Sequence, residues 1–243
     1  MIVLAHVSDV HIDGSERNTA RTRRVMAYVD GLDVAAVVVT GDIADNGAEE
    51  EYAIARAELK TRHPTIICPG NHDDRTAFRK VLLDGADGTG AINQVIRVPG
   101  ASIVLCDSSI PGRPDGLLDE PTLTWLDATL AAEPGPVLVG MHHPPAALGI
   151  PYVDGIGLGE PDRLAALLGK YPQVAAVLVG HAHTGAATTF AGRPLLVAPG
   201  VVSTALPPFE AGERPPVDYD LPPALAFHIL SGGRVTTHYR ALP

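Results

Sequence analysis

The chain of 243 residues is 46% hydrophobic and carries a formal net charge of -10, enough apolar content for one large core. No Lys/Arg cluster stands outside Arg21 to Arg24, so a broad nucleic-acid-binding face is not expected. No apolar run nears the roughly 18 residues of a membrane span, and no basic leader precedes His6 and Asp9, so the expectation is a cytoplasmic protein without a membrane partner.

In chain order, Ile2 to Val7 predicts a strand and Asn18 to Asp30 a helix whose wet face carries the arginines. Val34 to Val39 predicts a strand, Ala48 to Lys60 a helix, Thr65 to Cys68 a strand and Asp74 to Leu83 a helix. Strands at Ile103 to Cys106, Val137 to Met141 and Val174 to Val179 alternate with helices at Glu120 to Ala131 and Glu160 to Lys170. Pro121 and Pro161 suit first-turn positions. Runs such as VAAVVV and VAAVLV do not alternate, as expected of strands covered on both faces by helix layers. Four later segments, Ala186 to Phe190, Leu195 to Ala198, Ala224 to Leu230 and Arg234 to Tyr239, read as antiparallel strands. The alternation points to a layered α/β fold, in one domain over residues 1–243. Leu206 to Pro223, with six prolines, reads as a lid or interface loop. Cys68 and Cys106, the two cysteines, end apolar runs and read as small buried hydrophobes.

Chemistry-bearing side chains follow five of these strands. Ile2 to Val7 runs into Asp9 and His11, Val34 to Val39 into Asp42, and Thr65 to Cys68 into Asn71 and His72. Val137 to Met141 meets His142 and His143, and Val174 to Val179 meets His181 and His183. The C-terminal strand ends of an open α/β sheet share one edge, where ligands bind. Residues two apart on extended backbone point the same way, which would aim Asp9 with His11, and His181 with His183, at one place. The same reasoning admits only one of His142 and His143, without saying which. Taken singly, each residue has a turn or capping role open to it. Together, seven imidazole, carboxylate and amide donors exceed one tetrahedral zinc and suit two ions sharing a carboxylate, of zinc, iron or manganese type. Asp73 and Asp74 suit the start of the next helix. Arg17, Arg75 and Tyr152 could reach a substrate but read sooner as exposed or packing residues, and 149–159 reads as a pocket border.

The ordered motifs SDVH (8–11), GDIADNG (41–47), GNHDD (70–74), MHHPP (141–145) and GHAH (180–183) resemble those of the calcineurin-like metallophosphoesterase superfamily. Within it, the short GNHDD, CDSS at 106–109 and MHHPP are similar to those of bacterial class III cyclic nucleotide phosphodiesterases and their glycerophosphodiesterase relatives. The resemblance implies a four-layer αββα sandwich of two mixed sheets with two metal ions per chain and a bridging hydroxide. It assigns Asp9, His11 and His183 to one ion and Asn71, His142 and His181 to the other, with Asp42 bridging. It also selects His142, two before the proline, as the ligand. His72 becomes the candidate proton donor, and Asn71, His72 and His143 the candidate substrate contacts.

The Asp-Arg pair and the Glu that mark protein Ser/Thr phosphatases are replaced by Ala44-Asp45-Asn46 and Asp73, which argues against a phosphoprotein substrate. The implied activity is metal-dependent hydrolysis of small phosphodiesters, cyclic nucleotides first and glycerophosphodiesters next. A monoesterase and a non-catalytic scaffold are the alternatives. The resemblance leaves oligomeric state open, a homo-oligomer included, and the chain ends soon after the last strands, without the extended tail of related enzymes.

Overall fold

A computed structural model describes residues 1–85, 88–213 and 216–243. The N-terminal half alternates β1 (Ile2–Val7), α1 (Glu16–Asp30), β2 (Ala36–Thr40), α2 (Glu49–Glu58), β3 (Thr65–Cys68) and α3 (Arg75–Leu82). Next come β4 (Gln94–Val98), β5 (Ala101–Leu105), α4 (Glu120–Ala132), β6 (Val137–Gly140), α5 (Pro151–Asp154), α6 (Pro161–Gly169) and β7 (Val174–Val179). The chain closes with β8 (Ala186–Phe190), β9 (Arg193–Val197), β10 (Thr204–Ala205), α7 (Pro208–Ala211), β11 (Val217–Asp218), β12 (Ala224–Ser231) and β13 (Arg234–Ala241). Among the described residues no helix is long and apolar enough to cross a membrane.

The strands form two mixed sheets. One has the order β13-β12-β1-β2-β3, the other β4-β5-β6-β7-β9-β8. In the first, β1, β2 and β3 run parallel, with Thr40 opposite Cys68, while β12 lies antiparallel to β1. In the second, β5, β6, β7 and β9 run parallel between antiparallel edges. Strand periodicity of two sends alternate side chains to opposite faces, and in β2 both faces are dry. Val37 and Val39 of β2 join the core under α1 to α3, whereas Ala36 and Val38 join a second core between the sheets with Ile103, Leu138 and Leu178. A third core lies between the second sheet and helices α4 and α6, built on Leu126, Leu130, Leu164 and Leu168. The layers are therefore αββα. The uniformly apolar runs are explained by a helix layer on one face and the partner sheet on the other, not by helices on both.

Two further differences from the sequence reading have local causes. β4 is an edge strand whose residues are mostly half-buried, so it lacks a clear apolar pattern. The late segments are not simply antiparallel, since β9 leaves its hairpin with β8 to pair in parallel with β7. The proline-rich stretch holds α7 and half of the short β10-β11 ladder, and its residues 214 and 215 lie outside the described ones.

Helix starts agree with side-chain chemistry. Ser15 caps α1, and Asp119 caps α4, accepting from Thr122 N at 2.9 Å. Asp74 caps α3, accepting from Thr76 N and Ala77 N at 3.0 and 2.8 Å.

Candidate dinuclear metal centre

The parallel strands of both sheets end along one edge, and the loops leaving them carry the candidate ligands. These loops are not extended. Asp9, His11, Asp42, His181 and His183 all have positive φ, between 36° and 67°, a region that costs a non-glycine residue roughly 1–3 kcal/mol. Convergence therefore comes from left-handed turns past the strand ends, and the expectation of alternation along extended chain is corrected. Backbone bonds knit the turns: Asp9 N donates to Gly41 O at 3.2 Å and His11 N to Asp42 O at 2.9 Å. A Cβ on Gly70 would lie 2.2 Å from Asp42 Oδ1, so glycine is needed where the two loops touch.

Asp42 Oδ2 lies at the junction of two donor groups. It is 3.3 Å from His11 Nε2 and 3.4 Å from His142 Nε2. On one side His11 Nε2 faces His183 Nε2 at 3.1 Å, and His183 Nε2 is 3.4 Å from Asp9 Oδ1. On the other, His142 Nε2 is 3.1 Å from both Asn71 Oδ1 and His181 Nδ1. Ligands held about 2.1 Å from one ion stand about 3.0 to 3.4 Å apart in octahedral or tetrahedral shells. The donor sets fit two ions that share Asp42.

Three histidines have the outer nitrogen tethered, as metal ligands commonly do. His11 Nδ1 donates to Asp45 Oδ1 at 2.9 Å and His142 Nδ1 to Thr40 O at 2.7 Å, while His183 Nδ1 meets Ser203 Oγ at 2.8 Å. These bonds aim Nε2 inward. His181 uses Nδ1, leaving its buried Nε2 without a partner. Asp9 and Asp42 are held by backbone amides, His181 N on the first and His72 N on the second at 3.0 Å.

Close packing of the donors perturbs protonation. Burial alone would raise the Asp42 carboxyl, but His142 and His11 hold it well below the usual carboxylate range. Burial opposes protonation of His142, yet the facing Asp42 raises it to about 9; burial lowers His181 to about 3. Divalent ions would replace the proton on His142, so binding should tighten as pH rises.

The other expected site residues divide. His143 lies near His142 and His181, but it is fully buried, Nδ1 meets Ser108 Oγ at 2.8 Å, and Nε2 is 3.3 Å from Pro114 O. It is not among the residues that line the cleft. His72 is exposed at the cleft, its Nδ1 donating to Asp45 O at 2.7 Å and its ring edge-on to His11 at 4.6 Å. Asp73, expected to help start α3, instead accepts from Gly70 N, Ile43 N and Ala44 N at 2.8 to 3.2 Å and from Tyr52 Oη at 3.0 Å. It stitches the Asp42 loop to the Asn71 loop, and burial beside Asp42 raises it to about 6. Arg75 packs against Asp107 and Ser109 O, both at 2.7 Å.

Above the donors lies a cleft of about 470 Å³, walled by α5, by the loop after β9 and by the segment from β11 to Tyr219. Asp13 and Asp45 line it, and among the described lining residues there is no Lys or Arg. Tyr152 and Tyr219 stand at its walls. The sequence reading had set Tyr152 as an exposed or packing residue ahead of a substrate-reaching one, and Tyr219 lies in the stretch read as a lid or interface loop. Their shared signal was a large aromatic in a proline-flanked loop.

The family model for calcineurin-like phosphoesterases matches residues 2–185. This chain belongs to that family. The phosphoesterase is similar to the glycerophosphodiester phosphodiesterase GpdQ of Enterobacter lignolyticus, 31% identical over 99% of this chain and 91% of the relative. It also resembles a cAMP/cGMP dual specificity phosphodiesterase of Mycobacterium tuberculosis, 33% identical over 81% and 66% of the two chains, and the 3',5'-cyclic adenosine monophosphate phosphodiesterase CpdA of Pseudomonas aeruginosa, 30% identical over 75% and 70%. Its fold matches that of a dimetal phosphatase from Danio rerio, with TM-score 0.76 at 19% identity, covering 99% and 96% of the chains. Relatives that are phosphodiesterases make this phosphoesterase a hydrolase, in a family that works with dinuclear metal centres.

Proposed function

We propose that this phosphoesterase hydrolyses small, singly charged phosphodiesters, cyclic nucleotides first and glycerophosphodiesters second. The observation that carries the reading is the charge of the site. Asp9 and Asp42 bring two negative charges to ions worth at least four positive, and Asp13 and Asp45 add negative charge at the cleft without a described Lys or Arg to offset it. A diester monoanion suits that balance, whereas a monoester dianion would want added cations. The names of the relatives agree, covering both diester classes.

Asp9, His11, Asp42 and His183 would hold one ion, and Asp42, Asn71, His142 and His181 the other. Two such ions, of iron, manganese or zinc type, supply Lewis acidity and a water made nucleophilic at neutral pH. His72 supplies the proton. Its Nδ1–H is committed to Asp45 O, so in the imidazolium form Nε2–H is the group free to donate. Water adds to phosphorus and releases a proton to solvent, the ester P–O bond breaks, and the leaving oxygen takes the His72 proton, which solvent then restores.

The test combines elemental analysis with initial rates on 2',3'- and 3',5'-cyclic AMP, glycerophosphocholine and an aryl monoester. About two ions per chain and diester rates well above the monoester rate are expected; a metal-loaded protein inert toward every diester would overturn the reading. His72→Ala should keep both ions and lose roughly 10²- to 10⁴-fold in kcat. Loss of metal in that variant would instead make His72 a structural residue.

A further inference from the structure

Tyr152 and Tyr219 are 66% and 60% exposed, large aromatic side chains left in solvent beside the donor cluster. Neither hydroxyl has a hydrogen-bond partner among the described residues. Such exposure could mean slack segments, but both backbones are tied down. Ile150, just before α5, and Val153 within it are buried on either side of Tyr152, and the Asp154 carboxylate accepts from Leu148 N at 2.7 Å and Gly149 N at 3.0 Å. Across the cleft, Arg17 of α1 donates to Val202 O at 2.9 Å and to Tyr219 O. Arg21 donates to Val201 O at 2.8 Å and Leu221 O at 2.5 Å. The sequence reading had put Arg21 on the wet face of α1; with Arg17 it instead docks the backbone at and beside the cleft-lining Val202 and Tyr219. Rings held out on anchored backbone keep little freedom to lose when a ligand arrives.

Charge distinguishes what they can hold. The Arg17 guanidinium lies 5.7 Å from the centroid of the Tyr219 ring, so a cation already engages the negative face of that ring. A second cation, such as a quaternary ammonium, would gain less from the same π system, so any draw on it would come from Asp13 and Asp45 and not from the Tyr219 ring. A neutral flat ring meets no such penalty and stacks on either tyrosine. Ile156, Val202 and Val217 add apolar lining to the same cleft, and the cleft volume of about 470 Å³ falls within the range of small-ligand pockets.

We propose that Tyr152 and Tyr219 determine specificity by stacking an uncharged flat ring, of the kind a nucleobase presents, on the part of the substrate beyond the phosphate. The proposal rests on the phosphodiesterase reading and selects the cyclic nucleotide class within it.

The experiment compares 3',5'-cyclic AMP with glycerophosphoglycerol, a diester with neither ring nor cation, in wild type and in Tyr152→Leu, Tyr219→Leu and the corresponding phenylalanine variants. Base–aromatic stacking predicts that each leucine variant lowers the kcat/KM ratio of cyclic AMP to glycerophosphoglycerol by roughly 10- to 100-fold, mostly through KM. The phenylalanine variants should keep the wild-type ratio. Calorimetric titration with a non-hydrolysable cyclic phosphorothioate should show the same loss in Kd, with metal content unchanged. Equal loss on both substrates, or loss on neither, overturns the proposal. Wild type that turns over glycerophosphoglycerol but no cyclic nucleotide overturns it while the diesterase reading stands. Metal-loaded wild type that turns over neither overturns both.

Discussion

Asn71 shows how little a single residue discloses by itself. After Gly70 it has the sequence context of a turn former, yet its amide oxygen stands 3.1 Å from His142 Nε2 on the far side of the shared carboxylate. A neutral oxygen at that point adds no charge to a site that already holds Asp9 and Asp42. The donor types were legible because ligand chemistry is a property of side chains. Their backbone conformation was not, because five left-handed residues are held by contacts between loops that are distant in sequence. Gly70 is where that strain is most exposed to test. In Gly70→Ala the new Cβ would meet Asp42 Oδ1 at 2.2 Å and Asp42 N at 2.5 Å, and overpacking of this kind costs about 1–3 kcal/mol. Elemental analysis should show loss of metal together with a lowered Tm; a variant that keeps two ions and the wild-type Tm would contradict the placement of Asp42.

At the scale of elements, adjacent Asp73 and Asp74 do different work although sequence treats them alike. Asp74 caps α3 through two amides, a role its position before Arg75 makes readable. Asp73 turns the other way and joins the β2-α2 connection to the β3-α3 connection, with Tyr52 of α2 closing the far side. Nothing in the local sequence marks that choice, since it depends on where the neighbouring loop lies. Asp74→Ala should cost about 1 kcal/mol of stability and leave metal content intact. Asp73→Asn sets an amide NH₂ against backbone donors, so it should cost about 1–3 kcal/mol and also weaken metal retention. Thermal melts with elemental analysis separate the two; equal behaviour would mean that Asp73 is only a cap.

Across the whole molecule, the two sheets trap a polar chain beneath the metal loops. Thr40 Oγ1 donates to Ser8 Oγ at 2.9 Å and so accepts from His6 Nε2 at 2.8 Å. His6 Nδ1 then accepts from His228 Nε2 at 2.9 Å, and His228 Nδ1 meets Thr237 Oγ1 at 2.9 Å. Every bond is satisfied with both rings neutral and none needs an added proton. Burial lowers His228 to about 3, and burial with the neighbouring ring lowers His6 well below its ordinary value. Unfolded, both would titrate near 6.5. Below that pH the unfolded chain binds protons that the fold refuses, so stability is full above about pH 6.5 and falls as pH drops toward the folded values. Each histidine contributes a slope of about 1.4 kcal/mol per pH unit in that window. Urea unfolding between pH 7.5 and 5 should show a shallower slope for His228→Gln than for wild type; matching slopes would refute the neutral pair. Sequence alone determined which side chains were candidates for the donor set, the main helix starts and the layered alternation, because each is written in residue type and local period. Only the tertiary structure decided that Asp42 Oδ2 stands between His11 and His142, that the His143 ring is buried against Ser108 and Pro114, and that Tyr152 and Tyr219 line one cleft, because these depend on segments far apart in the chain being packed edge to edge by two sheets.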